Sequence, residues 1–481
     1  MRVLMLNPPF FKGFSRSSRS PGVSKGGCVY YPLWLGAATG WLEKHGHEVK
    51  LLDCPVEEIT TEDVAKILDE WKPELVVFDS VTASATNDFE VARQLRSHSK
   101  AKFVFVGTSP SALPEKTLKE CDAIDLVTQA EYDKQLLNLA NNVPLEKIKG
   151  ISYRLKDGSI RHNPSEELLT GKELDEFPFM SEVFARHLKI KNYFYPSVLY
   201  PETTIVTGRG CPFHCTFCVL PQVMNDHQYR ARSPESVFAE MKWIHDNLPE
   251  VKDVMIEDDT FTADRERVKN VCRLIIENGL KIAWTVNARA DVDLETLQLM
   301  KQAGCRLLCV GFESADQTIL NNIKKGTTIP KIEQFMKDTK TAGLLVHGCF
   351  MIGNKGETRE TIRKTLDMAI RLEPDTVQFF PIMVYPGTEA YEYAAKQGHL
   401  TTNNFSHWLL PDGTHNSIIS TPDLSAQDLV RECDRSRVKF YGRPKFMLKK
   451  FWQVLQHPSD LPRTIKSGIT FSKYFIKEFR G

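Results

Sequence analysis

Cys211-Pro-Phe-His-Cys215-Thr-Phe-Cys218 decides the reading of this chain. The stretch follows an apolar, strand-like run at Thr203–Thr207 and sets three thiols at spacings of four and three residues. Thiolate is the soft ligand that iron–sulfur clusters use, so three closely spaced cysteines can hold three irons of a four-iron, four-sulfur cluster. No fourth cysteine lies nearby, and one iron is then left open for a substrate or cofactor. Structural zinc is the rival, but its tetrahedral site needs a fourth ligand. His214, wedged between two of the cysteines, is poorly placed to supply it.

A chain of 481 residues has room for two or three domains. Its net charge of +1 argues against a global nucleic-acid binder, and no nucleic-acid partner is expected. Eleven cysteines in this length do not make a disulfide scaffold. Free thiols and a cluster call for a reducing compartment, so the expected location is cytoplasmic. Met1–Asn7 is a short apolar run cut off by Pro8-Pro9, too short for a signal segment, and reads as a first strand. No apolar run reaches the roughly 18 residues of a membrane-spanning helix.

Working outward from the cysteines, the fold class is α/β. In residues 1–145, short apolar runs at Val3–Leu6, Glu48–Leu52, Leu75–Phe78, Phe103–Val106 and Ile124–Val127 read as strands. Helical patterns at Leu33–Lys44, Thr61–Trp71, Asp88–Ser97 and Leu113–Glu120 alternate with them. This alternation predicts a Rossmann-like parallel sheet with covered faces, whose ligand lies beyond the carboxyl ends of the strands. The loops there are Asn7–Pro9, Asp53, Asp79–Ala83 and Gly107–Pro110. Residues 146–199 read as a linker containing a hairpin turned by Asp157-Gly158. Residues 200–400 repeat the strand–helix pattern six times, which fits a partial (β/α)6 barrel with its chemistry at the carboxyl ends of the strands. Residues 401–481 form a basic, aromatic and helical C-terminal region.

The C-x-x-x-C-x-x-C arrangement resembles the signature of radical S-adenosylmethionine (SAM) enzymes. That resemblance implies that Cys211, Cys215 and Cys218 hold a [4Fe–4S] cluster and that SAM binds the open iron. It implies that Asp258 and Asp259 hold the amino group of SAM, and that Asn287 and Arg289 follow strand three, with Arg289 on the carboxylate. Glu313 and Ser314 would take ribose hydroxyls or the amino group, and Ile352 and Gly353 would pack the adenine. The first half is similar to the cobalamin-binding domain of cobalamin-dependent radical SAM enzymes, through Leu6-Asn7-Pro8-Pro9, Tyr31-Pro32-Leu33-Trp34-Leu35, Gly46-His47-Glu48-Val49 and Phe105-Val106-Gly107. This implies a cobalamin site at Asn7, Pro8, Pro9, Ser80, Thr82, Gly107 and Thr108. The D-x-H-x-x-G motif that donates an axial histidine is absent after Asp79, so cobalamin is expected without a protein imidazole. Thr108 stands where the family often has a second glycine. Cys28, Cys54 and Cys121 read as buried thiols rather than ligands of a second cluster, because Cys54 follows strand two and Cys121 precedes strand five.

Tyr229-Arg-Ala-Arg-Ser233, Asn322-Ile-Lys-Lys-Gly326 and Tyr385-Pro-Gly-Thr388 resemble the radical SAM enzymes of hopanoid biosynthesis, whereas Val219-Leu-Pro-Gln222 departs from them. The resemblance implies a methylase or rearranging enzyme acting on an unactivated carbon of a lipid or glycan-type substrate, with a flavodoxin- or ferredoxin-like electron donor. Residues 439–481 hold ten Lys or Arg against Asp460 and Glu478, interleaved with aromatics. Such a tail suits peripheral contact with an anionic membrane or, equally, a helix packed on the barrel with solvated lysines. Two further readings stay open: a radical SAM enzyme whose first domain is a lid without cobalamin, and a non-enzymatic iron–sulfur protein.

Overall fold

The computed structural model describes residues 1–456. The basic and aromatic residues read at 457–481 lie outside the described residues.

Strands β1 (Arg2–Asn7), β2 (Glu48–Asp53), β3 (Leu75–Asp79), β4 (Lys102–Val106) and β5 (Leu126–Thr128) form a parallel sheet in the order β2-β1-β3-β4-β5. Their apolar runs are continuous because both faces are covered. Leu4, Leu6, Val76 and Phe78 pack on one side, and Val3, Met5, Leu75 and Val77 on the other. The helices Leu33–Lys44 and Thr61–Trp71 take the bounds that the periodicity predicts. The second starts from a capping box between Thr60 and Asp63, worth on the order of 1 kcal/mol. The helix expected at Leu113–Glu120 forms at Pro114–Glu120, and a further short helix, Thr108–Ala112, precedes it and stops because Pro114 cannot continue it. The expected loop Gly107–Pro110 is therefore the start of a helix.

The hairpin β6 (Ile151–Arg154) and β7 (Ile160–His162) forms as expected, but it is not a free connector. It continues the first sheet past β5 in antiparallel sense, buries Ile151 and Tyr153, and covers what would otherwise be an open edge.

The second half begins with β8 (Glu202–Ile205). A clasp of two short antiparallel strands, β9 (Gly208–Arg209) and β10 (Arg230–Ala231), closes the base of the cysteine loop. Strands β11 (Asp253–Ile256), β12 (Trp284–Ala288), β13 (Cys305–Glu313), β14 (Leu345–Ile352) and β15 (Thr376–Pro381) follow, all parallel and each beside its predecessor. These are the six predicted strands of the partial barrel. Val254, Ile256, Val286, Leu308 and Val346 pack outward against the helices. Met255, Leu307 and Cys309 turn inward and meet Val198, plugging the end of the lumen away from the carboxyl ends.

A strap of residues 8–32, lying between β1 and the first helix, crosses from one half to the other. On the first-sheet side the fully buried Arg16 pairs with Asp88 and donates to Asn7 Oδ1, to Pro8 O at 2.9 Å and to Ser84 Oγ at 3.2 Å. On the barrel side Arg19 pairs with Glu257 at 3.3 Å, and Lys25 pairs with Asp434 at 3.1 Å. Val23 N–H donates to Gly413 O, and His415 bonds Pro21 O. The C-terminal region thus folds back over the strap before the helix Ala426–Tyr441 packs on β15, where Tyr441 OH donates to Val377 O. Among the described residues no helix is long and apolar enough to cross a membrane.

Candidate functional site

The cysteine loop is built by its glycine. Gly210 has φ +83°, and a Cβ there would lie 2.1 Å from Gln228 O, so no side chain fits. The clasp below it is anchored by the first domain: Arg209 pairs with Asp133 at 2.6 Å and Arg230 with Glu131 at 2.6 Å, all four side chains almost wholly buried. Buried pairs of this kind fix register more than they add stability.

Cys211 Sγ lies 3.3 Å from Thr260 Oγ1. Burial pushes the Cys211 and Cys218 thiols up, and the Asp259 carboxylate and the neighbouring thiols push the same way. Three mutually repelling thiolates are stable there only beside positive charge, which is what iron supplies when it displaces the protons. The donor set therefore fits the three-cysteine side of a cluster.

At the carboxyl ends of the next strands, three buried polar atoms make no hydrogen bond among the described residues: Glu257 Oε2, Glu313 Oε2 and Arg289 Nε, the last lying 3.6 Å from Asp291 Oδ2. Arg289 lies over the Phe213 ring at 3.5 Å, inside the cysteine loop, and donates to Lys325 O. Glu313, at φ +63°, accepts from Lys325 Nζ at 2.7 Å. Asn287 lies beside Glu257 and favours its charged form. Two acceptors and a guanidinium left open match the amino, carboxylate and hydroxyl groups of SAM.

Three of the expected SAM residues also have partners within the protein. Asp258 accepts Thr207 N–H at 2.5 Å and Thr207 Oγ1–H at 2.6 Å, so it pins the end of β8. Ser314 is fully buried, accepting Asp316 N–H beside Thr365. The Ile352 side chain lies in the core between barrel and helices, and its carbonyl accepts Ile382 N–H. Asp259 holds the cysteine loop through Gly210 N–H at 2.9 Å and Asn225 Nδ2–H at 2.8 Å. Gly353, at φ +102°, donates its N–H to Glu357. Glu257 was the carboxylate the sequence reading passed over.

In the first sheet, the order reverses at β1 and β3, and the crevice above their carboxyl ends is the switch point where ligands bind. The expected loops converge there. Asn7 donates to Asp53 at 2.6 Å, Ser80 donates to Asp88 at 2.8 Å, and the Pro9 carbonyl accepts from Asn87. Thr82 is buried beside them, and Thr108 opens the short helix. A Cβ on Gly107 would lie 2.6 Å from both Asp79 Oδ1 and Ser80 O. Ser111, Thr128 and Tyr132 keep buried hydroxyls without a hydrogen-bond partner among the described residues, close to the ends of β4 and β5. Small residues packed backbone to backbone, ringed by spare hydroxyls, fit a broad cofactor with polar edges. Sequence reasoning missed Arg16 and Arg19; the signal was the polar run Ser15-Arg-Ser-Ser-Arg-Ser20, which has no periodicity.

The radical SAM superfamily pattern matches residues 205–369, and the B12 binding domain pattern matches residues 20–140. An uncharacterised methyltransferase of Pyrococcus horikoshii is 29% identical over 472 residues, covering 97% of each chain. The chain carries a radical SAM domain together with a B12-binding domain. This radical SAM enzyme is also 24% identical to the hopanoid C-3 methylase of Methylococcus capsulatus, over 79% of its own length and 72% of the relative's. Its fold matches that of the cobalamin-dependent radical SAM enzyme OxsB, solved with aqua-cobalamin and SAM, with a TM-score of 0.69 at 15% identity over 99% of this chain and 75% of that one. The enzyme is of the methyltransferase type, and the cofactors of its architecture are a [4Fe–4S] cluster, SAM and cobalamin.

Proposed function

We propose that this enzyme transfers a methyl group to an unactivated carbon of an amphiphilic substrate of lipid or glycan type. The carrying observation is the shared lumen: the cysteine loop, the open Glu257, Arg289 and Glu313 groups, and the strap from the first sheet all meet at one end of the barrel. When bound, the cluster supplies an electron to the SAM sulfonium and cobalamin supplies a methyl group.

The protein's own part is to bind and to exclude. Cys211, Cys215 and Cys218 hold the cluster. Arg289 takes the SAM carboxylate, and Glu257 and Glu313 take its amino and hydroxyl groups, with Asp259 fixing the loop that carries the cysteines. The loops at Asn7–Pro9, Ser80–Thr82 and Gly107–Thr108 carry cobalamin without a protein imidazole. The strap closes over the lumen and keeps water from the carbon radical. A flavodoxin- or ferredoxin-like protein supplies the electron.

The amphiphilic substrate is supported by the hopanoid relative and by the helix Pro444–Gln456. Met447, Leu448, Phe451, Trp452 and Leu455 are each more than half exposed on it, while Lys445 and Lys449 reach back to Glu373 and Asp375. An exposed apolar face rimmed by lysines suits peripheral contact with an anionic bilayer on the cytoplasmic side. Sedimentation with phosphatidylglycerol vesicles checks this; no difference from neutral vesicles removes the membrane reading.

The test of function is anaerobic turnover of reconstituted, cobalamin-loaded protein with candidate lipids. Methyl transfer is expected to yield both 5′-deoxyadenosine and S-adenosylhomocysteine. 5′-Deoxyadenosine alone, with a product of unchanged mass, would replace methyl transfer by rearrangement.

A further inference from the structure

Arg19 stands apart from everything assigned so far. It belongs to the cobalamin-side strap, only three residues after Arg16, yet its guanidinium lies in the radical half. Nη1 meets Glu257 Oε1 at 3.3 Å, and Nη2 donates to the carbonyl oxygens of Asp258 at 2.7 Å and Asp259 at 3.4 Å. Those carbonyls immediately precede Thr260, whose hydroxyl is 3.3 Å from Cys211 Sγ. The side chain keeps 37% of its surface accessible while Glu257 keeps 5%, so Arg19 lines the open lumen and Glu257 forms its wall. The strap tip cannot drift, because a Ser15–Gly22 bridge closes it and Arg16 and Lys25 pin it on either side.

Around the cysteine loop, Glu257 and Asp259 bring negative charge, while Arg289 over the Phe213 ring and Lys325 near Cys215 bring positive charge from the opposite strands, the latter already paired to Glu313. Glu257 and Asp259 act on Arg19 from two sides, and Cys218 is close enough to feel its charge. A cluster accepting one electron gains negative charge. Nearby carboxylates oppose that gain and a fixed cation favours it, since net charge and hydrogen bonding set a cluster's reduction potential. In a site of low dielectric the cation counts for more than it would in water.

We propose that Arg19 is a positioning residue through which the cobalamin-side strap sets the reduction potential of the cluster. This rests on the reading of Cys211, Cys215 and Cys218 as cluster ligands. Once the strap is seated, the cluster accepts its electron more readily, so radical generation is tied to an ordered cobalamin half.

The experiment is a potentiometric titration of the reconstituted full-length protein with titanium(III) citrate, followed by electron paramagnetic resonance. Iron content and the signal of the reduced wild-type cluster come first; their absence would overturn the ligand reading itself. Given a cluster, Arg19→Gln is expected to lower the midpoint potential, Glu257→Gln to raise it, and the double variant to return towards wild type. Arg19→Lys keeps the charge and should stay near wild type. Lys25→Gln removes one pin of the strap while leaving Arg19 itself in place, and should lower the potential in the same direction but by less than Arg19→Gln. An unmoved potential in Arg19→Gln at full iron content, or a potential raised in Lys25→Gln, would overturn the proposal.

Discussion

The two cofactor-facing ends of this molecule spend their polar groups in opposite ways. Above the first sheet, Asn7, Asp53, Arg16, Asp88, Ser80 and Ser84 bond to one another, and little charge is left to offer. In the barrel lumen, Glu257, Arg289 and Glu313 each keep a buried atom open. The first surface recognises by shape, through close backbone approach at Gly107 and a rim of neutral hydroxyls. The second recognises by charge. A broad cofactor with amide edges and a small zwitterionic one call for these two solutions, so a common arrangement of parallel strands carries both.

The largest expected effects separate the two ends completely. Replacing Cys211, Cys215 and Cys218 by Ala should abolish iron uptake and the visible band of the cluster while cobalamin is still retained. Gly107→Val should do the reverse, since its Cβ would meet Asp79 Oδ1 and Ser80 O at 2.6 Å. Parallel iron and cobalamin assays on both variants check this; either variant losing both cofactors breaks the division.

A smaller effect sharpens the charge side. Arg289→Ala and Glu257→Ala should keep the cluster and weaken SAM binding by about 1.5–3 kcal/mol, the worth of a charge-assisted hydrogen bond. Equilibrium dialysis with SAM measures it, and wild-type affinity in both variants would remove these residues from the site.

The smallest effect concerns the neutral side. Burial pushes the Asp53 and Asp79 carboxyls up to about 7. The native state then holds protons that the unfolded chain has released, so stability falls as pH rises towards the folded value and levels off above it. Burial lowers His347 to about 4, and that contribution is flat above the unperturbed value near 6.5. Melting of the apoprotein from pH 6.5 to 8.5 therefore isolates the carboxyls, with Glu202, raised to about 8, adding the same sign. The melting temperature should fall across this range, and Asp79→Asn should make the fall shallower. An identical slope in the variant would show that Asp79 does not hold the extra proton.

What was legible in the sequence follows from periodicity. Leu33–Lys44 and Thr61–Trp71 were readable because one face of each is apolar at helical spacing, and the six barrel strands because each is a short buried run. The hairpin at Ile151–His162 was visible, but its partner was not, since an edge pairing leaves no mark in local sequence. Among three adjacent acids, resemblance chose Asp258 and Asp259. Strand alternation from the inward Met255 points to Glu257, and the structure follows the alternation. The strap escaped notice because nothing periodic marks Ser15–Ser20, although two of its arginines serve the two halves.

The strap also has a timetable. Lys25 and its partner Asp434 are 409 residues apart in the chain. A ribosome adding about 5–20 residues per second takes roughly 20–80 s to bridge that gap. Throughout that interval the first sheet can fold around its own core while Pro21, Val23 and Lys25 wait for partners not yet made. The anchors of Arg16 on the first sheet can form at once, whereas the contacts of Pro21, Val23 and Lys25 with residues 413–434 form only after the whole barrel has been made.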